Sequence, residues 1–316
     1  MVSKQTNKEK QSPVSLLKTD DPNDGKKSWF SPNFKLGIVL GILSFIVYAN
    51  TLRNGFVYDD VSAISKNIIV TKGITAIPEI LSTPYRRGFI AYANDLYRPL
   101  SLVTFAAEYE FFGSDPAPYH FFNIIFFAGC VILLFLFLDQ LFERKKTVAA
   151  FIASVLFAIH PIHTEVVANI KSRDELLCFF FAFLSLIVLL KYLSTGRMTH
   201  LFAGSLCLLL SLLSKETTIT FVAVIPIVFF FYRNENKKRS ILIAACAAFA
   251  TIIFLLARYS VLGHFHANNF TGVSMIDNAL AQQDLPYATR IATAILILGY
   301  YVKPLFVPYP LICDYA

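Results

Sequence analysis

Asp59 and Asp60 stand side by side in Asn54-Gly55-Phe56-Val57-Tyr58-Asp59-Asp60, just past the first strongly apolar run, Leu36 to Leu52. Two carboxylates at the mouth of a membrane helix are costly to place, because charge near hydrocarbon needs a partner or water. The pair is therefore either a helix end capped in water or a functional site. A partly desolvated carboxylate near cations suits general-base work on a hydroxyl. Neighbours in an extended segment face opposite ways, so one acid is expected to face a pocket while the other is held by a partner. Further candidates are Arg98, His120, the run His160-Pro161-Ile162-His163-Thr164-Glu165, Arg173, Lys215-Glu216 and Asp277. His160 and His163 have a spacing that suits a metal, or else hydrogen bonds to a phosphate or sugar. Lys171 and Arg173 are interfacial anchors, or else the Arg is a bidentate phosphate ligand. Lys215-Glu216 is either a self-satisfied pair at a tight turn or part of a site. Arg98 either neutralises the acidic pair or binds substrate.

The elements that position these residues are apolar helices. Of the 316 residues, 56% are hydrophobic and only 16% charged, against about 25% charged in soluble domains. The chain is therefore read as an integral membrane protein. Its net charge of +7 sits in short clusters between apolar runs, a topology signal and not a nucleic-acid signature. The five cysteines are scattered without metal or redox spacing and read as packing residues. Residues 1–35 are Lys-rich and aperiodic and are expected to form a disordered cytoplasmic tail. The first span, Leu36–Leu52, is followed by an amphiphilic stretch, Arg53 to Tyr119, expected to form short interfacial helices in a long first outer loop. Six further apolar helices are expected at Phe121–Leu138, Val148–Ile159, Leu176–Leu193, Leu201–Leu213, Ile219–Tyr232 and Ile241–Ala257. Ile291–Val307 either crosses or lies along the outer interface.

Placing the basic clusters at Arg144-Lys146, Lys191/Arg197 and Arg233–Arg239 in the cytoplasm puts every candidate site residue on the opposite face. Val148–Ile159 is about 18 Å long as a helix, short of the roughly 30 Å hydrocarbon thickness. His160 and Lys215-Glu216 are thus expected to sit below the outer surface, around a polar, outward-opening pocket.

Phe56-Val-Tyr-Asp-Asp60, Tyr97-Arg-Pro-Leu100, Pro118-Tyr-His120, His160-Pro-Ile-His-Thr-Glu165 and Ser214-Lys-Glu216, with Ile276-Asp-Asn278, Lys303 and Cys313-Asp-Tyr315, resemble the transmembrane O-mannosyltransferases with tetratricopeptide repeats. These belong to the wider C-type glycosyltransferase fold. The resemblance covers roughly Gly37 to Ala316. It implies an all-α polytopic transmembrane bundle, residues 36–316, that moves mannose from a polyprenyl-phosphate donor to a hydroxyl of a protein (or glycolipid) acceptor on the outer face. Within it, Asp59 is the expected base and Asp60 orients it or pairs with a cation. From position alone, Arg173, with Lys215 and His160 or His163, is expected to stabilise the leaving phosphate. No cofactor is assigned, and a divalent cation is left open. The chain stops at Ala316 without a 34-residue repeat, so it is expected to be a fragment or a truncated product. The rival readings are a lipid-linked sugar transporter or flippase, which calls for charges near the midplane and inverted repeats, and a non-catalytic scaffold.

Overall fold

The computed structural model describes residues 33–92, 96–232, 236–263 and 286–311. The expected tail up to residue 32, Arg233, Asp277 and the Cys313-Asp-Tyr315 motif lie outside the described residues. Those described are helical, with no strand among them.

Helix α1 (Phe34–Tyr48) is apolar all round and continues into a tight turn at Ala49–Arg53. Its residues Ile38, Val39, Ile42 and Ile46 remain exposed, as a helix facing lipid requires. The opposite side packs on α4 (Pro116–Leu141) through Gly37 and Gly41, where a Cβ would meet Ile132 side-chain atoms at 3.4 and 3.0 Å. Small residues four apart let two membrane helices approach closely. Helix α4 starts where Asp115 caps it, accepting from the Ala117 N–H at 3.1 Å, with Pro116 at the first helical position.

Between α1 and α4 the chain builds a small core of its own. Ile64, Val70 and Ile80, on short turns and helix α2 (Ile77–Ser82), pack with Phe105 and Ala106 of α3 (Pro99–Phe112). Tyr119 of α4 and Ile170 close that core, so the long loop is folded onto one end of the bundle.

Helix α5 (Thr147–Ile159) is stopped by Pro161, because the residue before a proline avoids the helical region; His160 is extended, at φ −69° and ψ 124°. The chain bends by 51° into the segment that holds α6 (Thr164–Ala168). Helix α7 (Arg173–Thr195) is the central element. It ends on Gly196 in the left-handed conformation (φ 70°), which glycine adopts without the Cβ penalty. Helix α8 (Met198–Ser214) runs back along α7, and the two approach at Gly204, where a Cβ would meet Leu189 at 2.7 Å and where the Ser185 hydroxyl donates to the Gly204 carbonyl. After an extended Lys215 follow α9 (Phe221–Pro226), α10 (Lys237–Leu262) and α11 (Tyr287–Val302).

Every apolar segment expected to span is helical, yet among the described residues four helices are long and apolar enough to cross a membrane, or five with the bent pair around Pro161. That is fewer than the expected seven. The difference has a physical cause: Pro161 ends α5 early, and α8 and the Glu216–Phe229 helix are short apolar helices. The architecture is an all-α polytopic membrane bundle.

Candidate functional site

The C-terminal ends of α1, α5, α8 and α10 and the N-terminal ends of α4 and α7 meet at one end of the bundle, and nearly all the candidate residues among those described are there. The acidic pair is divided. Tyr58 takes φ 42°, a left-handed value that favours glycine, and this turn folds Asp60 inward. Asp60 is fully buried. Its Oδ2 accepts from the Val57 N–H at 3.0 Å and its Oδ1 from the Lys171 N–H at 2.7 Å. Burial raises its pKa above the usual carboxylate range, opposed by those backbone donors. Asp59 keeps a side chain 49% exposed, with the Lys171 ammonium 3.8 Å from its Oδ2. One acid therefore pins the loop and the other faces out beside a cation.

From Lys171 a chain of charge runs across the helix ends. Lys171 lies 3.8 Å from Asp174, and Arg98 bonds Asp174 at 2.7 Å and Glu216 at 2.8 Å. Arg258 adds to Glu216 at 3.0 Å, and Lys215 reaches Glu175 at 2.5 Å. Burial works against the Arg98 charge, but the Asp174 and Glu216 carboxylates outweigh it and its pKa rises. With Asp59 included, four carboxylates face four cations, so the cluster is balanced. Asp174, Glu175 and Arg258 join a set in which the sequence singled out Arg98, Lys171, Lys215 and Glu216. The one available signal was a charged run, Lys171 to Glu175, opening an otherwise apolar helix.

Arg173 departs from expectation. It is fully buried and turned away from this cluster. Its guanidinium pairs with Glu108, donates to Asn123 Oδ1 and to the Tyr119 carbonyl, each at 2.8 Å, and lies over the Phe105 ring. With its donors taken and no solvent access, it is not placed to meet a phosphate. Its role here is positional: Asn123 also donates to the carbonyls of Asn169 and Ile170, which carry Lys171. Burial lifts the Glu108 carboxyl to about 7, against the pull of Arg173.

The histidines are likewise engaged or enclosed. His160 Nδ1 accepts from the Ile162 N–H at 3.2 Å and its Nε2 lies 3.3 Å from the Leu305 carbonyl. His163 packs against Phe157, with ring centroids 4.2 Å apart. His120 is buried, and neither ring nitrogen is in hydrogen-bond geometry. Among the described residues, no group of three or more His, Cys, Asp and Glu side chains could hold a metal ion.

A cavity of about 390 Å³ lies beside the loop of the acidic pair, and Tyr58, the residue before Asp59, lines it. Asn54, Val57 and Tyr58 form one wall, Ile162, Glu165 and Asn169 another, and Tyr301 and Pro304 close it. Asn169 ties it to the acidic pair, because its Oδ1 accepts from the same Lys171 N–H that Asp60 holds.

Fold and site together define a polytopic helical membrane protein with a balanced charge cluster, one half-exposed carboxylate and a cavity at one end of the bundle. Several known proteins are similar to this chain in sequence. Protein O-mannosyl-transferase F38B6.6 of Caenorhabditis elegans is 34% identical over 203 residues, 62% of this chain and 28% of that protein. Protein O-mannosyl-transferase TMTC3 of Homo sapiens is 37% identical over 160 residues, 48% of this chain and 16% of that protein. Protein O-mannosyl-transferase TMTC2 of Homo sapiens is 33% identical over 202 residues, covering 59% and 23%. These are homologues, named for the same activity as the family that the motifs resemble. The chain spans about a quarter or less of the length of these relatives. No family model and no solved structure matches it.

Proposed function

We propose that this chain is a glycosyltransferase that moves mannose from a polyprenyl-phosphate donor to a serine or threonine hydroxyl of a protein, on the outer face of the membrane. The observation that carries the reading is the placement of Asp59: half exposed, next to a cation and one residue on from Tyr58, which lines the cavity, while Asp60 is locked in the loop. The names of the homologues support the reaction class. Asp59 takes the hydroxyl proton of the acceptor. The freed oxygen pair attacks the anomeric carbon, and the carbon–oxygen bond to the phosphate breaks with its electrons on the phosphate. Lys171, Arg98 and Lys215 replace Arg173 as the cations placed to receive that charge, and preorganised charge of this kind stabilises a developing anion. In the resting protein those cations are balanced by carboxylates, so a phosphate must compete with Asp174 or Glu175 for them.

The outer-face assignment rests on charge. The end of the bundle away from the cavity carries Lys35, Arg144, Lys145, Lys146, Lys191, Arg197, Lys237, Lys238 and Arg239 with few acids, as cytoplasmic ends do.

Membranes containing the protein, a labelled mannosyl polyprenyl phosphate and a serine/threonine peptide test the proposal. Mannose should become alkali-labile on the peptide. Donor that crosses the bilayer intact, with no glycopeptide formed, would assign the protein to transport instead.

A further inference from the structure

Two chemically different neighbourhoods meet at the Tyr58-Asp59 step. Asp59 pairs with Lys171, whereas Tyr58 lines the cavity, and no lysine or arginine is among the described residues lining that cavity. Its charged side chain is Glu165, which is exposed. Among the described residues Glu165 makes no ion pair, while Asp174, Glu175 and Glu216 are each tied to a cation. The rest of the lining sets Pro161, Ile162, Tyr301 and Pro304 beside the polar Asn54, Thr164 and Asn169, and the volume of about 390 Å³ falls in the range of ligand sites.

We propose that this cavity receives the acceptor polypeptide beside its hydroxyl residue, and that Glu165 selects acceptors with a lysine or arginine close to that residue; this rests on the reading of Asp59 as the base. The chemistry disfavours the two parts of the donor as occupants. A polyprenyl tail here would bury the Glu165 charge against hydrocarbon. A phosphate would meet a like charge with no cation in the wall. A basic peptide suits this lining: its cation meets the carboxylate, its methylene stem lies along the tyrosine and proline rings, and its backbone can bond the polar side chains of Asn54, Thr164 and Asn169.

The test uses the chain in nanodiscs and two labelled peptides with the same serine/threonine core, one with lysine and one with glutamate beside it. Binding is read by anisotropy, and transfer with mannosyl polyprenyl phosphate. The lysine peptide should bind roughly fivefold tighter, and kcat/KM should follow in the same sense. Glu165→Gln should bring the ratio close to one and Glu165→Lys should invert it, with thermal unfolding confirming that each variant is folded. Equal binding of the two peptides by the native protein, or a ratio unmoved by Glu165→Gln, overturns the inference. Transfer without charge preference overturns it and leaves the proposed activity standing. Charge-selective binding without transfer removes the activity and keeps Glu165 as the selector of a cationic peptide.

Discussion

At the residue scale, Asp59 and Asp60 show how little separates a structural acid from a reactive one. The two share a backbone and differ in which way the Tyr58 turn points them. From the sequence such a division was expected of an extended segment, whereas Asp60 is helical (φ −59°, ψ −36°) and the division comes from the turn at Tyr58. The role of Arg173 was not legible, because its partner Glu108 is 65 residues earlier, in a stretch whose pattern shows only an amphiphilic loop. Two predictions follow from that pair. Arg173→Lys keeps the charge but cannot reproduce the bonds to both Asn123 and the Tyr119 carbonyl, so it should lower thermal stability. Glu108→Ala removes the side-chain acceptor that the buried guanidinium bonds and should cost about 1–3 kcal/mol. Glu108 also predicts a pH dependence. Its folded pKa is raised, to about 7, so the folded state holds the proton more tightly than the unfolded chain does. Its stabilising contribution is therefore full below the ordinary glutamate range and lost as pH rises through about 7. Thermal unfolding from pH 5 to 8 should show that decline, and Glu108→Gln should remove the slope whatever its effect on absolute stability.

At the element scale, the sequence places the helices well because apolar runs, prolines and glycines are local signals. Pro161 ends α5, Gly196 ends α7 and Asn236 caps α10, its side chain accepting from the Arg239 N–H at 3.1 Å. The shortness of Val148–Ile159 was legible too, yet it was counted as a full span; Pro161 ends α5 and turns the chain by 51°, and α8 is itself a short apolar helix. The α7–α8 contact depends on an absent side chain. At Gly204 a Cβ would come within 2.7 Å of both Leu189 Cγ and Cδ2, a distance that requires the packed leucine to move. Gly204→Val should therefore separate the two helices and lower the unfolding temperature of the protein in detergent. The same substitution at Gly55, where a Cβ meets nothing within 4 Å, should have a much smaller effect.

At the scale of the whole molecule, the bundle separates its charges by end. One end is basic and simply bonded: Asp139 accepts from Asn33 and Thr147, each at 2.6 Å, and Arg239 donates to the Leu193 carbonyl. The other end holds the balanced cluster and the cavity. Cysteines introduced at Lys145 and at Glu165 should therefore react with a membrane-impermeant maleimide from opposite sides of sealed vesicles. Labelling of both from one side would contradict the proposed orientation. One-sidedness was legible in the sequence from the alternation of basic and mixed loops. The balance of the cluster was not, since it depends on Arg258 and Asp174, which no motif joins.

The central claim is that Asp59 takes the acceptor proton, and the most direct measurement is mannosyl transfer by Asp59→Asn in membranes, with donor binding followed in the same preparation. Asparagine is close in size and Asp59 is half exposed, so folding should survive. Transfer should fall by about a hundredfold or more while the donor still binds. Transfer at the native rate would contradict it.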